Sequence, residues 1–125
     1  LKNMLSSVKD FNFYNASTKV EIVEKHHKDK KDSPSGTSKD LISYIKKEIS
    51  EDLKVEIRSI RQEDIAGEHS VSFINQDETL KISHKAHDRS IYSRGALLAA
   101  IWLDKNRELR GIYKMSNIYL SLEED

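Results

Sequence analysis

The stretch Lys19-Val20-Glu21-Ile22-Val23-Glu24-Lys25-His26 reads as a strand, with Val20 and Ile22 on one face and Val23 on the other. It runs into a polar, lysine-rich loop, residues 27–36, which closes on Ser33-Pro34-Ser35-Gly36-Thr37. A helix follows, in which Leu41, Ile42, Ile45 and Ile49 recur at helical spacing and Ser35 or Thr37 stands ready to cap the first turn. A strand that feeds a helix through such a loop belongs to a layered fold, and its loop lies where ligand sites concentrate.

Outward from this unit, residues 1–9 read as the end of an amphipathic helix, with Leu1, Met4, Leu5 and Val8 on one side, and residues 10–17 as a loop. Residues 54–61 alternate as a strand through Val55 and Ile57, and residues 69–74 through His69, Val71 and Phe73. Asn75-Gln76-Asp77-Glu78 forms a turn into a return strand carrying Leu80, Ile82 and His84. From Asp88 the pattern is helical through Ile91, Leu97, Leu98, Ile101 and Trp102, and the tail from Gly111 to Leu122 is apolar without a clear period. The expected fold class is α+β: a mixed sheet of four strands or slightly more, helices packed on one face, and the other face open for oligomerisation. Glu56, Arg58, Ser70 and Ser72 alternate with the apolar strand residues, so that second face is semi-polar.

A chain of 125 residues holds one domain, expected to run over residues 1–125. Val, Ile, Leu and Phe make up 32 of the 125 residues, enough apolar material to fold. The 21 basic and 21 acidic residues cancel, which removes the simplest argument for a nucleic-acid or membrane partner. The absence of cysteine excludes disulfides, thiolate metal sites and a cysteine nucleophile, and fits a reducing cytoplasm, the expected location. No apolar run approaches the roughly 18 residues of a membrane span. The chain begins at Leu1 rather than Met, and is expected to be a piece of something longer.

The chemistry concentrates in residues 24–37. The amides of a helix start attract anions, Gly36 allows close approach, and Ser35 and Thr37 add hydroxyls, a set suited to a carboxylate or phosphate or to a plain helix cap. Histidine as a residue type can hold or give a proton at working pH, which makes His26 and His27 candidates, and Lys30 supplies fixed positive charge among Lys25, Lys28 and Lys31. A zinc reading through His26, His27, His84 and His87 lacks cysteines and meets crowding lysines, so no metal is expected. An RNA reading of the lysines lacks interleaved aromatics. Together the two ends of the loop describe a site for a multi-anionic small molecule that needs a proton.

The run Glu24-x-His26-His27-x-x-Lys30-x-Asp32-x-Pro34-Ser35-Gly36-Thr37 resembles the signature of the 4-hydroxy-tetrahydrodipicolinate (dihydrodipicolinate) reductases at every fixed position. Ile65-Ala66-Gly67-Glu68-His69, Ile82-Ser83-His84-Lys85-Ala86 with Arg89, Gly95-Ala96 to Trp102-Leu103, and Gly111-Ile112-Tyr113-Lys114-Met115 are similar to later segments of the same family. The chain departs from the family pattern in lacking a glycine-rich insertion between Ser50 and Val55, in Gln62-Glu63 where glycines are common, and in His87-Asp88 where small residues are common.

The resemblance implies the substrate-binding and tetramerisation domain of an enzyme of lysine and diaminopimelate biosynthesis. The family's Rossmann domain with its Gly-x-x-Gly-x-x-Gly loop has no counterpart, since no glycine precedes Gly36. NADH or NADPH would be bound mainly by that missing domain of the same longer chain, and hydride transfer by this chain alone is not expected. By the same resemblance His26 would be the general acid, Lys30 its charge partner or second proton donor, and His27, Ser35, Gly36, Thr37 and Arg89 substrate contacts. Asp32 and Glu68 would order loop and sheet, while His69 and His84 are read as hydrogen-bonding across the sheet and Trp102 as core or interface. A homotetramer would use the open sheet face, with Val55, Ile57, Val71 and Phe73 dividing into helix-facing and subunit-facing sets. The alternative is a stand-alone oligomeric module that binds a small dicarboxylate without hydride chemistry; a phosphate or RNA binder is a distant third.

Overall fold

The computed structural model describes residues 1–10 and 12–121. Phe11 of the first loop and Leu122, where the apolar tail was read to end, lie outside the described residues. Two compact units divide the chain, Leu1–Asp88 and Arg89–Asp125.

The first unit contains helix α1 (Lys2–Asp10), strand β1 (Lys19–His26), helix α2 (Gly36–Tyr44) continued by a π-helical turn (Ile45–Ile49), and strands β2 (Lys54–Arg61), β3 (Gly67–Ile74) and β4 (Thr79–Ala86). The four strands form one mixed sheet in the order β2-β1-β3-β4, with β1 parallel to β2 and antiparallel to β3, and β3 antiparallel to β4. The helix between β1 and β2 supplies the crossover that a parallel pair requires. The β3–β4 hairpin closes at Asn75, whose Oδ1 accepts the amides of Asp77 and Glu78, both at 2.9 Å.

Register decides what is buried. Val20 pairs with Val55 and Phe73, and Ile22 with Ile57 and Val71, so all six side chains share one face. Leu5 and Val8 of α1 and Leu41, Ile45 and Ile49 of α2 and its π turn join Val20, Ile22, Val71 and Phe73 in the core. Val55, Ile57, Val71 and Phe73 therefore do not divide between two faces: the pairing gives all four the same parity, and Ile57 is simply more exposed at the sheet edge. Met4 is 59% exposed and stands off the apolar stripe assigned to it. The opposite parity carries Glu21, Lys25, Arg58 and Glu68 in ion pairs, Lys25–Glu68 at 3.2 Å and Arg58–Glu21 at 3.8 Å, as a semi-polar face requires.

The second unit holds α3 (Ser90–Lys105) and α4 (Met115–Ser121). The tail without a clear period thus includes a helix. No residue of α3 is buried. Trp102 is half-buried; its indole N–H donates to Ser121 Oγ at 2.7 Å and its ring lies 5.3 Å from that of Tyr113. Among the described residues, no helix is long and apolar enough to cross a membrane.

Candidate functional site

The inward parity of β1 does not stop at Ile22: Glu24 and His26 follow on the same face. Glu24 is 0% exposed. A carboxylate there needs donors, and the loop and neighbouring strand supply them. The Ser35 amide donates to both carboxylate oxygens (3.1 and 3.0 Å), the Ser38 hydroxyl donates at 2.5 Å, and Arg61 Nη2 lies 3.3 Å from Oε1. Burial alone would raise the Glu24 pKa, but hydrogen bonds from Ser35, Ser38 and Ser59 outweigh it and hold the group down at about 2.

His26 ends β1 and is 7% exposed. Its Nδ1 is buried and has no partner among the described residues. Burial lowers its pKa; the Glu24 charge opposes that shift, while Lys30 and Arg61 reinforce it. The ring meets that of His69 edge-on, centroids 4.9 Å apart. His69, from β3, also places Nε2 3.2 Å from Ser35 Oγ, and burial, followed by the neighbouring His26, pushes its pKa down to about 4. Donor atoms of Glu24, His26 and His69 lie within 4.8 Å of one another. The Glu24 carboxylate is already engaged by Ser35, Ser38 and the Arg61 cation, so this is a hydrogen-bonded cluster in which a metal ion would meet competing donors.

The loop above this cluster is braced from β2. The Gln62 amide donates to the His26 carbonyl at 2.9 Å. Arg61 Nε and Nη2 donate to the carbonyls of Lys30 and Asp32 at 3.2 and 2.6 Å. Lys30 pairs with Asp32 at 2.7 Å. The Asp32 carboxyl is held below its ordinary range first by Lys30 and further by the Gly36 amide. An internal carboxylate is therefore already paired with Lys30.

Gly36 and Thr37 are exposed in the first turn of α2. A Cβ added to Gly36 would meet nothing within 4 Å, so packing within this chain does not require glycine there.

His26, His27, Lys30, Ser35, Gly36 and Thr37 thus gather on one strand–loop–helix connection in the first unit. Ser35 differs from the open hydroxyl read from the sequence. It is 2% exposed, gives its amide to Glu24, accepts the Ser38 amide as the N-cap of α2 and faces His69. A helix start leaves amides without partners, and the Ser35 side chain caps one of them. Arg89 precedes α3 in the second unit and is exposed. His84 and His87 are exposed. His69 faces the loop through Ser35 and His26 rather than serving only the sheet. The sequence reading gave no structural role to Glu24, Ser38 or Arg61. A glutamate on the buried parity of an otherwise apolar strand was the available signal for the first.

Residues 3–119 match the family described as dihydrodipicolinate reductase, C-terminus. Curated relatives named 4-hydroxy-tetrahydrodipicolinate reductase include one from Methanoregula boonei, 38% identical over 117 residues, with 83% of this chain and 45% of the relative covered. A second, from a Wolbachia of Brugia malayi, is 40% identical over 116 residues, covering 79% of this chain and 44% of the relative. The chain spans less than half the length of these relatives. The solved dipicolinate-bound dihydrodipicolinate reductase of Paenisporosarcina sp. TG-14 shares the fold, with a TM-score of 0.60 at 19% identity over 78% of this chain and 43% of that one.

Proposed function

This chain belongs to the dihydrodipicolinate reductase C-terminal family, and from that premise we propose that residues 1–125 are the substrate-binding and oligomerisation domain of a longer reductase. That enzyme converts 4-hydroxy-tetrahydrodipicolinate to tetrahydrodipicolinate in lysine and diaminopimelate biosynthesis, in the cytoplasm. The observation that carries the reading is the Asp32 carboxylate, paired with Lys30 at 2.7 Å on the loop that leads into α2. A carboxylate already uses the charge that a dicarboxylate ligand would use, a few residues before the helix start.

In this reading Lys30, Gly36 and Thr37 hold one carboxylate, with His27 beside them. Ser35 contributes by fixing the helix start. His26 gives the proton, and Lys30 offsets developing negative charge. A nicotinamide cofactor supplies hydride to such a reaction. The four glycines, Gly36, Gly67, Gly95 and Gly111, are too widely spaced for a Gly-x-x-Gly-x-x-Gly loop, so the cofactor is assigned mainly to the rest of the longer protein. The outward sheet face, with Ser70 and Ser72, is assigned to contacts within a homotetramer; a strict monomer by light scattering would count against that assignment.

Calorimetric titration of this chain with pyridine-2,6-dicarboxylate tests the site. Lys30→Ala and Thr37→Ala are each expected to weaken binding about tenfold or more, since each removes a charged or polar ligand contact. Unchanged affinity in both variants would sink the proposal. Gly36→Ala separates binding from folding. Helix propensity favours alanine by up to about 1 kcal/mol, so stability should hold or rise while affinity falls, because the added methyl enters the ligand's space. Asp32→Asn is expected to tighten binding severalfold by freeing Lys30 from its internal partner; weaker binding in that variant would show that Asp32 does not compete.

A further inference from the structure

We propose that Arg61 is the positioning residue of this site, holding the Lys30–Asp32 backbone in the geometry in which Lys30 and the start of α2 face one ligand; this rests on the reading that the loop takes a dicarboxylate. Register puts Arg61 opposite His26 at the ends of the parallel pair β1–β2, directly beneath the loop. Its guanidinium makes four contacts, three with carbonyls and one with a carboxylate. Nε donates to the Lys30 carbonyl (3.2 Å), Nη2 donates to the Asp32 carbonyl (2.6 Å) and contacts Glu24 Oε1 (3.3 Å), and Nη1 returns to the Ile60 carbonyl (3.1 Å). Glu24 in turn holds the Ser35 amide and the Ser38 hydroxyl. One planar cation therefore ties the lysine-bearing arm of the loop to the helix-start arm through a shared buried carboxylate. A lysine could satisfy the Glu24 charge, but its single ammonium lacks the flat fork that reaches two carbonyls and a carboxylate at once. Arg61 needs no contact with the ligand for this role.

The test uses the 125-residue chain with arginine, lysine or alanine at position 61. Amide hydrogen exchange over residues 27–33, without ligand, reads the loop directly. Pyridine-2,6-dicarboxylate titration, with and without millimolar guanidinium chloride, reads the site. In Arg61→Ala the loop amides are expected to exchange about tenfold faster or more while the β1 and β3 amides near Ile22 and Val71 stay protected, and affinity is expected to fall about tenfold. Guanidinium should restore part of that affinity, and tetramethylammonium should not. Arg61→Lys should behave like Arg61→Ala in exchange. If Arg61→Ala keeps wild-type loop protection, or Arg61→Lys matches wild type in both readouts, the proposal is overturned. If Arg61→Ala does not fold, the Arg61→Lys comparison decides. Failure of the wild-type chain to bind the dicarboxylate would remove the proposed function, while the exchange measurement would still decide what Arg61 does.

Discussion

Glu24→Ala is expected to cost about 3–5 kcal/mol of stability, because it leaves the Arg61 cation, the Ser35 amide and the Ser38 hydroxyl facing a buried gap. For a domain whose whole margin is about 5–15 kcal/mol, that is a large share. The same carboxylate makes stability depend on acid. Its pKa falls from 4.5 to about 2 on folding, so the ionised form is stabilising above 4.5 and the contribution is lost as pH drops from 4.5 toward 2. His69 acts one step higher on the scale. Its pKa falls from 6.5 to about 4, so between those values the unfolded chain binds the proton that the folded chain refuses, and stability falls as pH drops from 6.5 to 4. Each group is worth on the order of a few kcal/mol across its window.

The first unit should therefore lose stability in two successive stages between pH 6.5 and 2. Urea titrations at stepped pH, followed by far-ultraviolet circular dichroism, would show this; the lone tryptophan, Trp102, lies in the second unit and is the wrong reporter. His69→Gln should shrink the upper stage, with the buried His26 supplying what remains, and Glu24→Gln should flatten the lower. Identical pH profiles in both variants and wild type would contradict the assignment.

Much of the fold was legible because period-two and helical patterns are local. Lys19–His26, Lys54–Arg61 and the Asn75 turn all appear where the alternation puts them. Parity across strands is not local. That Val20 faces both Val55 and Phe73 depends on register, and register is set by pairing between segments far apart in the chain. The exposed α3 shows the same limit: its apolar residues have the spacing of a packed helix, yet none is buried. The site was legible as a loop, from His26 to Thr37, because its residues are consecutive. What lies beneath was not. Arg61 reaches Glu24 across 37 positions and His69 reaches Ser35 across 34, and no spacing rule joins them. Ser35 was legible as a possible cap, and its side chain is the N-cap of α2.

His26→Gln is expected to lower turnover of the longer reductase by about 10²- to 10⁴-fold, the usual contribution of a positioned general acid, while dicarboxylate affinity at high pH changes little. Burial pushes the ring's pKa down and the Lys30 and Arg61 charges push the same way, so the free site holds His26 largely neutral at neutral pH. A general acid must carry a proton. On the proposed reading an incoming dianion would supply the reason to take one up: two negative charges near the ring would reverse the local balance and raise its pKa. Ligand binding and proton binding are then the same event. Calorimetry of the 125-residue chain with pyridine-2,6-dicarboxylate at pH 7 should show net proton uptake, read from the dependence of binding enthalpy on the buffer's ionisation enthalpy, and affinity should fall as pH rises. His26→Gln should abolish that uptake, and His27→Gln should leave most of it. An uptake equal in wild type and His26→Gln would move the proton to another group and remove His26 as the acid.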